Sequence, residues 1–291
     1  MGRLNSKDTS PKLERMLSRF VMRFSDMLGS RQFPAAPMHV ITDPAFYAVA
    51  VPAVLLTSIS KGGFAGGMGV AAVPLMALAI SPLQAASIML PILCVMDLTG
   101  FFTWRKFCDP VLFKRLLPGA LIGILIGTLM FHHLNEAIVK TLIGVMALLF
   151  ALNFWLKGRV RAPLHLPPAA SAALWSTLSG FASFVSHAGG PPMMIYLLPK
   201  RLEKAILVGT LTILFTTINY AKIVPYALLG QLSVDNLATA AVLSPLAPLG
   251  VKLGAWLHDR INEKIFYRLS YGFLLLTGIK LCWDGLVHLH G

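Results

Sequence analysis

The hydrophobic residues of this chain form long uninterrupted stretches, and the polar residues are gathered into short linkers between them. Eight stretches approach the length of a membrane-crossing helix: 44–60, 84–104, 112–131, 138–156, 168–186, 205–228, 236–257 and 265–283. A helix needs roughly 20 residues to cross about 30 Å of hydrocarbon. The pattern therefore predicts an all-α, polytopic transmembrane helical bundle with eight crossing helices.

Two shorter apolar runs, 66–80 and 190–199, each follow a glycine-rich break. The breaks read KGGFAGGMG at 61–69 and SHAGGPP at 186–192. Because non-helical backbone inside lipid has to be buried in protein or face a water-filled cavity, we expect half-helices or re-entrant segments here. A pair of interrupted segments at matching places in two halves is typical of a transport site.

The two halves of the chain share residues at a nearly constant spacing. The tripeptide AGG at 65–67 recurs at 188–190, and LNEAI at 134–138 resembles INEKI at 261–265. This recurrence indicates an internal duplication. The predicted organisation is an N-terminal arm at 1–43, membrane repeat 1 at 44–162 and membrane repeat 2 at 163–291.

The N-terminal arm contains seven Lys or Arg residues and a series of apolar residues at helical spacing. Arg15, Arg19 and Arg23 form a basic row on another face of the same predicted helix. This pattern indicates an amphipathic helix that lies on a membrane surface and contacts anionic lipid headgroups. The alternative is a solvated tail whose periodicity arose by chance.

Composition also favours a membrane protein. With 56% hydrophobic residues, 13% charged residues and a mean hydropathy of +0.72, a soluble chain would expose far more apolar surface than water tolerates. The formal charge of +13 indicates attraction to anionic lipid, and we expect no nucleic-acid partner. Cys94, Cys108 and Cys282 have neither redox nor metal-binding spacing, so we expect no metal and no cofactor.

Basic residues are unevenly distributed between equivalent linkers of the two repeats. Linker 105–115 is basic and its counterpart 229–235 is not, whereas the uncharged turn 81–83 corresponds to the basic linker 200–204. If basic clusters face the cytoplasm, equivalent linkers face opposite sides and the repeats are inverted. Two parallel sets of four helices would instead keep the basic arm inside. The sequence leaves the orientation open, and it leaves the oligomeric state open too, a homo-oligomer included.

The glycine breaks are candidate anion-binding sites. A helix end at a glycine pair leaves backbone N–H groups free to bind an anion, and the helix dipole adds to the attraction. Two such breaks that meet within the membrane would form an anion-binding cradle. The candidate substrate-binding residues at the breaks are Lys61, Gly62, Gly63, Gly66, Gly67, Ser186, His187, Gly189 and Gly190.

Lys222 lies within an apolar stretch, with Asn219 three positions before it and Tyr226 four positions after it. The three side chains can share one helical face. An intramembrane lysine is a candidate partner for an anionic substrate, and Asn219 joins Lys222 in the predicted site. The alternative is that Lys222 extends its ammonium to a nearby membrane interface.

Asp97 and His187 are the candidates for ion coupling. Asp97 lies near the centre of an apolar stretch, at nearly the same repeat position as Asn219. It could accept a coupling proton, or it could form a structural ion pair with Lys222. His187 could carry a proton or donate to a substrate oxygen, or it could be satisfied by backbone carbonyls.

Several motifs resemble the TauE/SafE family of membrane permeases. They are the glycine break followed by proline, the SHAGGPP element, the YLLP and GT that follow it, and N-x-x-K ahead of Y-x-x-x-G. The resemblance covers nearly all of 44–285; the chain departs from the family pattern in its basic arm and in a first break with a less dense glycine run. It implies a multi-pass protein of the bacterial inner membrane that transports a sulfur-containing anion such as sulfite or a sulfonate.

These patterns predict a secondary transporter, a permease for a small anion that works by alternating access and could be coupled to protons. An intramembrane enzyme is one alternative, but HExxH, GxSxG and paired acids at catalytic spacing are absent. Only Ser186 beside His187 hints at a nucleophile, so we expect no enzymatic activity. The other alternative is an accessory membrane subunit that docks through the basic arm.

Overall fold

A computed structural model of the chain describes residues 40–63, 71–131, 136–156, 167–197 and 200–257, and single positions between 260 and 287. Outside the described residues lie most of the basic arm (1–39), the first glycine break (64–70), the basic cluster at 157–161 and most of the last predicted span (265–283). All regular elements of the described part are helices, as the hydrophobic pattern predicts.

The helices begin and end close to the predicted stretches. They are α1 (Pro44–Gly63), α2 (Ala72–Met76), α3 (Pro82–Trp104), α4 (Pro110–Met130), α5 (Glu136–Trp155), α6 (Pro168–Ser186), α7 (Gly190–Leu197), α8 (Lys204–Leu228), α9 (Val234–Leu243) and α10 (Leu246–Leu257). A 3₁₀ turn, Arg105–Phe107, follows α3. Proline opens α3 and α4, where its missing N–H costs no hydrogen bond. The Asp109 carboxylate caps α4 by accepting from the first N–H groups of that helix.

Within the described residues, four helices are long and apolar enough to cross a membrane: Pro44–Gly63, Pro82–Phe107, Pro110–Met130 and Ala205–Leu228. A fifth span forms if α9 and α10, which are bent by 42° at their junction, count as one. The predicted span 236–257 is thus divided at Pro245, which has no N–H to continue the helical hydrogen bonds. α6 has the length of a span, but its serines lower its hydropathy. The remaining predicted spans stay predictions.

α4 packs on α6, and α10 packs on α1, so closely that only glycine fits at the contact, and each pair joins the first half of the chain to the second. A methyl group on Gly123 of α4 would meet the backbone of Thr177 and Phe181 in α6. A methyl group on Gly254 of α10 would meet the backbone of Ile59 in α1. Close approach of backbones is the usual way in which helices associate in lipid, where burial of apolar side chains gives little driving force.

α3 lies at the centre of the bundle and runs antiparallel to α8. Of its apolar stretch 61% is buried, compared with 44% in each of the other three spans. Its C-terminal end meets the start of α8, where the Asp109 N–H donates to the Thr210 hydroxyl over 2.9 Å. Its start meets the segment after α8, where the Ser87 hydroxyl donates to the Gln231 side chain over 3.1 Å.

The two ends of the α3–α8 pair differ in charge. The end where α3 stops and α8 begins, here called the basic end, carries Arg105, Lys106, Lys114, Arg115, Lys200, Arg201 and Lys204. At the other end, here called the acidic end, the described segments 40–44, 79–84 and 229–236 contain Asp43 and Asp235 and neither Lys nor Arg. The linkers 105–115 and 200–204 therefore share one end of the bundle.

Candidate functional site

A buried carboxylate joins three helices at the centre of the bundle. Asp97 of α3 accepts a hydrogen bond from the Asn219 amide of α8 at Oδ2 over 2.6 Å. Its other oxygen, Oδ1, forms an ion pair with the ammonium of Lys61, which lies in the last turn of α1. Asp97 thus pairs with Lys61 rather than with Lys222, and both carboxylate oxygens have partners.

Lys222 is fully buried, three residues beyond Asn219 on α8. Its ammonium donates to the Ser183 carbonyl oxygen over 2.8 Å, to the Ser183 hydroxyl over 3.1 Å and to Nδ1 of His187 over 2.7 Å. All three acceptors are uncharged when the histidine is neutral. The side chain points into the protein, so the alternative in which Lys222 reaches a membrane interface is wrong.

His187 ends α6 in the left-handed conformation, with φ of 55°. Because the ammonium of Lys222 can only donate, Nδ1 of His187 is the acceptor and Nε2 carries the hydrogen that bonds the Ala86 carbonyl oxygen over 2.9 Å. The ring stacks on Tyr226, whose hydroxyl donates to the Phe184 carbonyl oxygen over 2.6 Å. A non-glycine residue with positive φ costs energy and is often found at a functional site.

At the second glycine break, much of the backbone is occupied by hydrogen bonds and close packing. The Gly189 carbonyl oxygen accepts a hydrogen bond from the Ser179 hydroxyl over 2.6 Å, and a methyl group on Gly189 would meet the Phe215 ring. α7 then begins at Gly190 with Pro191 and Pro192, which have no N–H. Few backbone donors therefore remain at this break, and an anion there would depend mainly on side chains.

Ser186 and His187 do not form the pair that nucleophilic catalysis needs. The Ser186 hydroxyl bonds back to the Ala182 carbonyl oxygen of its own helix over 3.4 Å. Nδ1 of His187 is occupied by Lys222 and Nε2 by Ala86. A serine nucleophile requires a base within hydrogen-bonding distance of its hydroxyl, and His187 does not fill that role here.

Two crevices lie at different heights along α3. The first, nearer the basic end, is lined by Lys61, Met96, Asp97, Gly100, Leu211, Thr212 and Phe215. The second, nearer the acidic end, is lined by Leu83, Ala86, Phe131, Phe184, Val185, Tyr226 and Gln231. Each crevice holds a cavity of only about 10 Å³. Asp97 and Ala86 are about 16 Å apart along the helix axis. The contacts of Lys222 with Ser183 and His187 lie between the two crevices.

The structure brings together five of the predicted site residues: Lys61, Asp97, His187, Asn219 and Lys222. The Gly62 carbonyl oxygen accepts from the Trp104 indole over 3.1 Å, and a methyl group on Gly62 would meet the backbone of Val251 in α10. Gly63 is buried at the end of α1. Gly66 and Gly67 lie outside the described residues.

Ser183 is a site residue that the sequence reasoning missed. It supplies two of the three acceptors for Lys222. The signal was available, since the buried serines of α6 recur at helical spacing: Ser176, Ser179, Ser183 and Ser186. A polar row of this kind marks the face of a helix that contacts other polar groups within lipid.

Comparison with protein families gives one match, to the family described as sulfite exporter TauE/SafE, over residues 50–281. The chain belongs to the TauE/SafE family. Neither the comparison with curated proteins nor that with solved structures finds a match. The matched range contains both glycine breaks and all five clustered site residues. Membership in TauE/SafE, a family of anion exporters, together with the apolar helices makes this chain a multi-pass membrane protein of a transporter family.

Proposed function

We propose that this TauE/SafE protein is a secondary transporter, a permease that moves sulfite, a sulfonate or another small organosulfur anion by alternating access. The observation that carries the proposal is the fully buried ammonium of Lys222, whose hydrogen-bond partners among the described residues are uncharged. An intramembrane ionisable residue without a counter-charge is a candidate for binding a charged substrate.

The charges of the cluster favour an anion. Lys61 and Asp97 neutralise each other, which leaves the positive charge of Lys222 uncompensated within the described residues. A buried charge without a partner is strongly unfavourable, and a bound anion would remove that penalty. The undescribed stretch 64–70, next to Lys61 in the chain, contains no acidic residue that could serve instead.

The proposed binding site uses side chains from both halves of the chain. Lys61 and the first break, with Gly66 and Gly67, contribute from one half. Asn219, Lys222 and the second break contribute from the other, with His187 as the donor or acceptor beside the ammonium. Backbone N–H groups of the first break are proposed to add to the side-chain donors, as is usual for broken helices in transporters.

In this proposal, the two crevices give the anion access to Lys222 from opposite sides of the membrane in turn. The Lys222–Ser183–His187 contacts separate the crevice beside Asp97 from the crevice beside Ala86. When the helices shift, the anion passes from one crevice to the other while those contacts break and re-form. A packed interface of this kind has discrete arrangements, which is what a transport cycle requires.

The proposed orientation places the basic end in the cytoplasm, because cytoplasmic linkers are enriched in Lys and Arg. α1 then begins on the outer side, since the Ile41 N–H bonds the Thr239 hydroxyl at the acidic end over 3.3 Å. α3 and α8, which are equivalent in the predicted duplication, run antiparallel, and this supports inverted repeats. A bacterial inner membrane, anionic lipid at the N-terminal arm and a homo-oligomer are further parts of the proposal.

Proton coupling is assigned to Asp97 or His187. Asp97 pairs with Lys61 of the proposed binding site, and His187 contacts Lys222 directly. A proton taken up by either group in the transport cycle would make anion binding depend on that proton.

Counterflow in proteoliposomes tests the function. Vesicles loaded with unlabelled sulfite, thiosulfate or methanesulfonate should accumulate the labelled anion, and Lys222→Met should lower the flux by roughly a hundredfold. Lys252→Met, on the exposed face of α10, is the matched control and should transport normally. Unimpaired flux in Lys222→Met would remove Lys222 from the site. Absence of flux for every anion in the wild-type protein would contradict the transporter assignment.

A further inference from the structure

We propose that Asp97 is an internal competitor of the transported anion: the Asp97 carboxylate and the substrate use the same donor groups, on Lys61 and Asn219, in turn. This inference rests on the proposed transport function and deepens it, because it identifies the event that makes the binding groups available.

The hydrogen bonds of Asp97 have the pattern that a small oxyanion would need. One oxygen contacts the ammonium of Lys61, and the other accepts from the Asn219 amide over 2.6 Å. The two donors come from different helices and converge on the two oxygens of one planar group. A sulfite, sulfonate or carboxylate also presents two adjacent oxygens, so it fits the same pair of donors.

Lys61 and Asp97 lie where an incoming anion would compete directly with the Asp97 carboxylate for Lys61. Lys61 and Asp97 line the crevice nearer the basic end, and the Lys61 side chain is 14% exposed whereas that of Asp97 is 1% exposed. An anion that enters the crevice therefore meets the Lys61 ammonium before it meets the carboxylate. Two negative groups a few ångströms apart repel each other strongly, so the anion and the ionised Asp97 exclude one another.

Protonation of Asp97 removes the repulsion between its carboxyl group and the anion. The neutral carboxyl group loses its ion pair with Lys61 and is a weaker acceptor for the Asn219 amide, so both donors become available to the anion. The proton and the anion are then bound together, and loss of both restores the ion pair. The titratable and charged groups around Asp97 are Lys61 on α1, Cys94 on α3, and Tyr220 and Lys222 on α8, with His187 beyond Lys222.

Asp97→Asn tests the competition, because it removes the charge with little change in volume. The probe is methanesulfonate, which keeps one negative charge across the pH range, and the readout is ligand-dependent thermal stabilisation of the purified full-length protein. Asp97→Asn should bind roughly tenfold more tightly than wild type, because an ionised carboxylate no longer competes for Lys61 and Asn219. Asp43→Asn, which changes a carboxylate outside the cluster, should behave as wild type.

A second measurement keeps the test decisive if Asp97→Asn is too unstable in detergent. In native membrane vesicles the variant should exchange labelled sulfite for unlabelled sulfite but should not accumulate it in response to a pH gradient. Equal or weaker anion binding in Asp97→Asn, or gradient-driven accumulation that persists in it, would overturn the competition. If wild type and variant alike neither bind nor move any anion, the transport function itself fails instead.

Discussion

The ammonium of Lys222 lies 2.7 Å from Nδ1 of His187, and this contact joins α8 to the turn between α6 and α7. Lys222 is fully buried, so in this arrangement Ser183 and His187, rather than solvent, accept the hydrogen bonds of its ammonium. Any displacement of α8 along α6 breaks this bond together with the bonds to Ser183. A negatively charged solute bound at Lys222 would compensate for the lost acceptors, which couples solute binding to helix movement.

Lys222→Met is expected to change the stability of the protein little. The substitution removes a buried charge, which is costly to desolvate, and this gain offsets the hydrogen bonds that Ser183 and His187 lose. Loss of transport in a protein that melts at the same temperature or higher would show that Lys222 is retained for function. Thermal unfolding in detergent, measured beside the flux assay, checks this. A large drop in melting temperature would mean that the Lys222 contacts stabilise the fold.

His187→Ala should destabilise the protein more than His187→Asn does. Alanine in the left-handed region costs about 1–2 kcal/mol, whereas asparagine tolerates that region and offers an oxygen to the Lys222 ammonium. Arg201 also has positive φ, 49°, but it is exposed and outside the cluster. Arg201→Ala and Arg201→Asn therefore report backbone strain alone. Equal melting temperatures for the two His187 variants would contradict the expectation.

Much of the fold can be predicted from local sequence. Ser81-Pro82 and Asp109-Pro110 mark the starts of α3 and α4, because the side chain caps the helix and the proline fits its first turn. The spacing of Asn219 and Lys222 places them on one face of α8. The hydrogen bond between Asp97 and Asn219, by contrast, is not predicted from the sequence, which places them only at nearly the same repeat position.

The contacts between helices could not be predicted in the same way. Nothing local to Asp97 indicates that it pairs with Lys61 rather than with Lys222, because the choice depends on how α1 and α8 pack on α3. The acceptors that Ser183 offers to Lys222 depend in the same way on the rotation of α6. Side-chain partners across helices follow from the packing of the whole bundle, which periodicity within one segment does not encode.

Gly123→Ala should lower stability by about 1–3 kcal/mol, because the added methyl group would overlap the backbone of α6. Neither Thr177 nor Phe181 can relieve the overlap by a rotamer change, since the atoms involved belong to the main chain. Ile122→Ala, at the neighbouring position whose side chain is 52% exposed, is the matched control. Melting temperature and yield in membranes check the prediction. Normal stability of Gly123→Ala would mean that α4 and α6 are farther apart than described.

Cys108 offers a test of the orientation, because it lies at the basic end between the 3₁₀ turn and α4. With Cys94 and Cys282 replaced by alanine, a membrane-impermeant maleimide should label Cys108 only after the cells are permeabilised. Asp43→Cys, made in a background without the native cysteines, should be labelled in intact cells, because Asp43 lies at the acidic end.

The rate of Cys108 labelling should also depend on pH. Burial, reinforced by the neighbouring Asp109 carboxylate, raises the pKa of the Cys108 thiol above its ordinary value, although the Thr210 hydroxyl lowers it. The reactive thiolate is therefore scarcer near neutral pH than in a free cysteine, and the labelling rate should still be rising where that of an exposed cysteine has levelled off. The cysteine introduced at position 43, which is exposed, provides that reference curve. Labelling of Cys108 in intact cells, with position 43 protected, would reverse the proposed orientation and place α1's first residue in the cytoplasm.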